Sequence, residues 1–251
     1  MTAPLLRQLL ALVLVAAALA AAGPRGAAGP AAPPRPGLEA RAAEPPRFPK
    51  PDRPVAPIVS SAYSSEDERD RRGEAERVMD RLGVAPGLRV ADIGAGDGYY
   101  TVRLARRLGP GSRIVAQDVD ARTLKRLEGR LAREGVGGVT LVLGAPRDPG
   151  LPPDSVDLAL LSHVYHEIEN PYEFLHRLHP ALARGARVAV IDNDKPTRDH
   201  GTPPALLRCE MAAVGYRQVD SQPLAPADGY LAVFAPPATP PSPDAIVPCR
   251  R

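Results

Sequence analysis

Three glycines at alternate positions, Gly94, Gly96 and Gly98, lie between an apolar run ending at Ile93 and a helical pattern opening at Tyr99. Glycine tolerates left-handed backbone and lets the main chain approach a ligand that a β-carbon would push away. The turn carries Asp92 and Asp97 and no lysine, so it is no Walker-type phosphate loop. A dinucleotide fingerprint would place its third glycine where Tyr99 stands, which disfavours NAD and FAD. Acids at a glycine turn suit a cationic, phosphate-free ligand. Asp118 then ends the next apolar run, about twenty residues beyond the glycines, where a carboxylate can accept both hydroxyls of a ribose.

A second group follows the fourth apolar run, in His163-Val-Tyr165-His166-Glu167. Imidazole titrates near neutral pH, so His166 is the candidate general base, with Tyr165 beside it to orient a substrate or to pack. His163, His166, Glu167, His176, His179 and His200 gather in one third of the chain. They lack cysteine neighbours or a defined facing pair, and His176 and His179 read as a solvated helix face, so no metal is expected.

These residues need a frame that places loops side by side. Ser65 with Glu68 three residues on is a capping box, and Val78, Met79 and Leu82 form the apolar stripe of one helix ended by Gly83 and Pro86. Strand Leu88–Ile93 follows. The chain then alternates: helix Tyr99–Leu108, strand Arg113–Asp118, helix Ala121–Glu134, strands Val139–Leu143 and Val156–Ser162, helix Pro171–Leu182, strand Ala186–Asp192. Helix Pro203–Val214 and strands Tyr216–Val219 and Tyr230–Phe234 close the pattern. Repeated βαβ units predict an α/β fold, a seven-stranded, mostly parallel, doubly wound sheet with a final antiparallel hairpin. In such sheets ligands sit beyond the C-terminal strand ends, where the strand order reverses.

The ends differ in character. Of 31 prolines, 11 lie between Pro24 and Pro57 and 6 between Pro236 and Pro248. Residues 23–58 and 237–251 are therefore read as a disordered linker and tail, and 59–236 as the folded domain. The net charge of +3 is held by the ends: residues 1–58 carry +4 and 236–251 carry +1, leaving −2 on the domain. A slightly acidic domain offers no footprint for nucleic acid. Arg7 followed by the uncharged run Leu9–Ala22 reads as a signal peptide or anchor over residues 1–22. The chain is then exported to the periplasm or tethered to a membrane through its N-terminus; a start codon assigned too far upstream would leave it cytoplasmic. Cys209 and Cys249, the two cysteines, can pair in an oxidising compartment or remain free thiols.

The segments VADIGAGDGYYTVRLA, RIVAQDVDARTL, LPPDSVDLALLSHVYHEIENPYEFLHRL and ARVAVID resemble the class I methyltransferases that use S-adenosylmethionine (SAM), which have a Rossmann-like fold. The resemblance is greatest to the bacterial ubiquinone/menaquinone-methyltransferase-like group, including a branch with a signal-like N-terminus. It implies that Asp92, Gly94, Ala95, Gly96 and Gly98 cradle the amino-acid half of SAM. It further implies that Asp118 holds the ribose, that Val119 lies against the adenine, and that Ser162 and His163 lie by the sulfonium end. The expected activity is methyl transfer to a small-molecule acceptor; the alternative is a non-catalytic SAM- or nucleoside-binding protein on the same fold. Two departures stand out. Ala145, Pro146 and Arg147 replace the acid that often binds the adenine amino group, with Asp148 a candidate substitute. Arg184-Gly185-Ala186 replaces the usual Pro-Gly-Gly turn. Acceptor contacts are expected from Val59–Arg72, Val164–Tyr172 and Asn193–Pro204, and the Tyr63, Tyr165, Tyr172, His166 and His200 in them suit a polar or aromatic molecule of modest size.

Overall fold

The computed structural model describes residues 47–58, 65–224 and 229–250. The helices are α1 (Glu66–Arg71), α2 (Glu74–Arg81), α3 (Tyr99–Leu108), α4 (Ala121–Glu134), α5 (Pro171–Leu178) and α6 (Pro204–Ala213). The strands are β1 (Arg89–Ile93), β2 (Arg113–Asp118), β3 (Val139–Leu143), β4 (Val156–Ser162), β5 (Leu182–Asp192), β6 (Arg217–Pro223) and β7 (Tyr230–Ala235). They form one sheet in the order β3-β2-β1-β4-β5-β7-β6. β1 to β5 pair in parallel, and β7 runs antiparallel between β5 and β6. The order reverses between β1 and β4, so the crevice for a ligand opens above those two strands.

Apolar residues on both faces of the central strands build the core. Along β4, Leu158 and Leu160 pack with Val78 and Met79 of α2 and with Leu104 of α3, while Ala159 and Leu161 pack with Tyr172, Phe174 and Leu175 of α5. This period of two, apolar on each side, is what a strand covered by helices on both faces requires.

Several expectations are corrected. The helix expected from Ser65 to Leu82 is two helices broken at Gly73, although Ser65 Oγ does accept the Glu68 amide at 3.3 Å. α5 stops at Leu178, where a 3-10 turn, His179–Ala181, carries Pro180, and β5 begins four residues early. The described parts of the two proline-rich ends are ordered against the domain. In residues 47–58, Arg53 is 7% exposed, Ala56 is 2% exposed, and the Ala56 amide donates to the His166 carbonyl at 3.2 Å. Arg53 Nε meets Glu210 Oε1 at 2.9 Å, and its other nitrogens reach the carbonyls of Tyr165, His166 and Ile168. At the other end Ile246 is buried, Cys249 bonds Cys209, and the Cys249 amide donates to Tyr172 Oη at 2.9 Å. Proline removes donors and apolar periodicity from these segments, and their described residues hold no α-helix or strand, only one 3-10 turn, Pro243–Ala245. It does not prevent extended chain from being fixed by side-chain anchors and a disulfide. The same packing covers the helix face expected to be solvated: His176 stacks edge-on to Phe48, and His179 Nε2 donates to the Pro237 carbonyl at 2.8 Å. Residues 1–22, 23–46, 59–64 and Tyr63 among them lie outside the described residues.

Candidate active site

A cavity of about 900 Å³ opens at the C-terminal ends of β1, β2 and β4. Gly94–Asp97 line it from the turn after β1, Gln117–Asp120 from the end of β2, and Ser162–Val164 from the end of β4. Every cofactor contact implied by the resemblance except Gly98 borders this space: Asp92, Gly94, Ala95, Gly96, Asp118, Val119, Ser162 and His163.

The turn is built for close approach. Gly96 and Gly98 have φ of +56° and +90°. A β-carbon on Gly96 would meet no atom within 4 Å, because that side faces the cavity, whereas on Gly98 it would lie 2.4 Å from Leu127 Cδ1. Gly96 thus leaves room for a ligand, and Gly98 leaves room for α4. The Gly96 amide donates to Asp118 Oδ2 at 3.0 Å, and the Asp120 amide donates to Asp118 Oδ1 at 3.0 Å. Each oxygen retains acceptor capacity for a hydroxyl. Asp92, buried at the turn's base, accepts from Thr101 Oγ1 at 2.6 Å and so ties β1 to the first turn of α3. Burial pushes its carboxyl up to about 6, against the opposing hydrogen bond from Thr101.

Over the opposite wall lies a cluster that the sequence reading missed. Arg69 pairs with Glu74 through two bonds of 2.8 and 2.6 Å, and its Nη2 also donates to Ser162 Oγ at 3.3 Å. The guanidinium lies 3.6 Å from the Tyr99 ring centroid, and Tyr100 Oη donates to Glu74 Oε1 at 2.9 Å. Burial opposes the Glu74 charge, yet Arg69 and the weaker influences of His163 and Tyr100 hold its carboxyl below the ordinary range. A signal was present: Glu74 shares a helix face with Val78, so a carboxylate stood on the buried stripe. The cavity lining carries eight carboxyl side chains against three of Lys or Arg, an excess that favours a cationic ligand.

His166 and Tyr165, expected to be catalytic, do not line the cavity. They occupy a 3-10 turn, Tyr165–Glu167, that sends Val164 and Glu167 to the cavity and the two residues between them into the interior. Tyr165 is wholly buried, its ring 5.6 Å from the Arg53 guanidinium, and burial pushes its hydroxyl well above the usual phenol range. His166 is 1% exposed, with Nδ1 2.9 Å from Asp192 Oδ1. His163 is the imidazole that borders the cavity, and burial shifts its pKa down, with Asp192 opposing, so the ring is neutral at physiological pH. Asp148 is not in the lining either: its Oδ1 accepts the Gly150 amide at 2.9 Å, and Ala145 and Pro146 form that part of the wall. Of the expected acceptor contacts, Tyr165, Tyr172, His166 and His200 lie outside the lining; Glu66, Arg69, Val164, Ile168 and Lys195 take their place, joined by Val55 to Ile58.

A methyltransferase-domain family matches residues 91–188. Over 91 residues the chain is 32% identical to nocamycin O-methyltransferase from Saccharothrix syringae, which covers 36% of this chain and 32% of that protein. Over 121 residues it is 27% identical to the ubiquinone/menaquinone biosynthesis C-methyltransferase of Hahella chejuensis, covering 48% of this chain and 49% of that protein. The chain therefore spans about a third to a half of the length of these curated relatives. The structure of a SAM-dependent methyltransferase from Aquifex aeolicus matches with a TM-score of 0.59 at 18% identity, covering 68% of this chain and 97% of that one, and speaks for the fold. Sheet order, glycine turn and sequence relatives agree: residues 91–188 match a methyltransferase domain, and the sheet has the class I, Rossmann-like order of the SAM-dependent methyltransferases.

Proposed function

We propose that this protein transfers a methyl group from SAM to a small-molecule acceptor. The observation that carries this reading is the Gly96 turn: its amide is pinned to Asp118 while its α-carbon faces a cavity of a size usual for small-molecule sites. When bound, SAM supplies a methyl group already activated on a sulfonium. The chain's own part is orientation and a favourable electrostatic setting. Gly94, Ala95 and Gly96 would hold the amino-acid half, Asp118 the ribose hydroxyls and Val119 the adenine, with Ser162 and His163 towards the sulfonium. An acceptor that must lose a proton has neutral His163 within the cavity to take it. Val55, Pro57, Ile58 and Phe174 give the remaining wall an apolar part, which suits an acceptor with an apolar body and one polar reacting group. The Cys209–Cys249 disulfide is what an exported chain keeps oxidised, and supports the periplasmic or membrane-tethered reading of the N-terminus.

Calorimetric titration of the full chain with SAM tests the site. One molecule should bind per chain, and Asp118→Ala should weaken binding by about 1–3 kcal/mol, because two ribose hydroxyls lose a charged acceptor. Binding as tight in Asp118→Ala and Gly96→Val as in the parent would place the cofactor elsewhere.

A further inference from the structure

Beside the cavity, His166, Glu167 and His200 bring one ring nitrogen or carboxylate oxygen each to within 4.8 Å of one another. We propose that these three residues hold a divalent transition-metal ion of the zinc class, with Asp192 as the positioning residue behind His166. The inference is independent of the SAM reading and assigns a second ligand to the molecule.

Asp192 is 0% exposed. Its carboxylate accepts from Thr202 Oγ1 at 2.7 Å and from the Asn193 amide at 2.9 Å, and its two oxygens lie 2.9 and 3.1 Å from His166 Nδ1. A carboxylate that accepts at Nδ1 selects the Nδ1–H tautomer, in which Nε2 carries the lone pair. That Nε2 is buried and has no hydrogen-bond partner among the described residues. A buried acceptor left without a partner is unfavourable, and a histidine oriented from behind by a carboxylate is the arrangement that metal-binding histidines adopt. The His200 ring stands edge-on to His166, with 5.5 Å between centroids. It is held there by a 3-10 turn, Thr197–Asp199, and by an unusual positive φ of 57°. A strained backbone at a non-glycine residue persists where its surroundings fix it, and here it aims a ligand.

Two imidazoles and one carboxylate are a donor set suited to Zn²⁺ with further positions open. Bonds of about 2.0–2.2 Å in a tetrahedral frame set ligand atoms about 3.3–3.6 Å apart. Glu167 and His200 are only partly buried, so side-chain rotation can close the remaining gap. The site needs no cysteine, and both cysteines are committed to the disulfide. Glu167 also lines the cavity, so an ion held there borders the space assigned to the acceptor and can bind an acceptor oxygen at an open position.

The test uses the tag-free full chain, stripped with a chelator and titrated with Zn²⁺ against a chromophoric competitor at pH 7. The expected result is one equivalent bound with micromolar affinity or tighter, and a visible absorption band of four-coordinate type when Co²⁺ replaces Zn²⁺. His200→Asn and Glu167→Gln change partly exposed side chains, and asparagine tolerates the left-handed backbone, so both should keep the metal-free melting temperature. Each should lose affinity by about a hundredfold or more, whereas Asp192→Asn should lose about 10–100-fold by releasing His166. Zn²⁺ binding weaker than about 100 μM in the parent, or parent-like affinity in both folded ligand variants, would overturn the proposal and leave water as the partner of His166 Nε2.

Discussion

Asp92 shows how one residue is set by its surroundings. It stands at the end of a strand whose other positions are apolar, and the fold closes over it, with Thr101 as its hydrogen-bond partner. Burial raises its carboxyl from the ordinary value near 3.9 to about 6. The folded state therefore binds the proton more tightly than the unfolded chain. The stabilisation is complete below the unfolded pKa and is lost as pH rises through the folded one. Stability referable to Asp92 should fall by on the order of 2–3 kcal/mol between about pH 4 and 6. Asp92→Asn keeps an acceptor for Thr101 and cannot ionise. Denaturant unfolding across that range should show a flatter pH profile for the variant than for the parent, and identical profiles would mean that Asp92 is better solvated than its position implies.

At the scale of the element, the β1–α3 turn combines two demands that happen to use the same residue type. Gly98 is needed by the fold, since its missing β-carbon is where Leu127 of α4 packs. Gly96 leaves cavity where its β-carbon would stand, the space that the proposed function gives to SAM. Both replacements by alanine pay the left-handed backbone penalty of about 1–2 kcal/mol, and Gly98→Ala adds overpacking of about 1–3 kcal/mol. Gly98→Ala should therefore lower the melting temperature more than Gly96→Ala does. Gly96→Ala should weaken SAM the more, by at least about tenfold. Thermal melts and calorimetry on the same two proteins check the ordering, and a reversed order in either would exchange the roles of the two glycines.

For the whole molecule, the proline-rich ends decide how the domain is closed. The segment 47–58 staples the loop after β4 through Arg53, whose side chain and that of Glu210 are each 1% exposed. The C-terminal tail returns to α6 through a disulfide spanning 40 residues. A loop of that length predicts roughly 2–4 kcal/mol of stabilisation through the restricted unfolded chain. Reduction, or Cys249→Ser, should lower the melting temperature by about 5–10 °C, given the usual sensitivity of a domain this size. A melt unaffected by reductant would show that Ile246 and the Tyr172 contact hold the tail without the bond.

The sequence by itself determined the layout of this protein and the position of the crevice at its strand ends. Alternating apolar runs marked all seven strands, and the three glycines with Asp118 marked the crevice, because both signals are local: a period of two, a period of 3.6, a turn that only glycine fits. Tertiary structure alone decided which side chains after β4 face the cavity. His166 and His163 are three residues apart and chemically alike, and only the path of the 3-10 turn sends one against Asp192 and the other to the cavity wall. It also decided that Arg69, Glu74 and Tyr100 meet, that Phe48 covers His176, and that chain read as disordered is anchored. Each of these depends on contacts between residues far apart in the chain, and proline content reports only what a segment cannot do with its own backbone, not what a distant carboxylate, carbonyl or thiol can do to it.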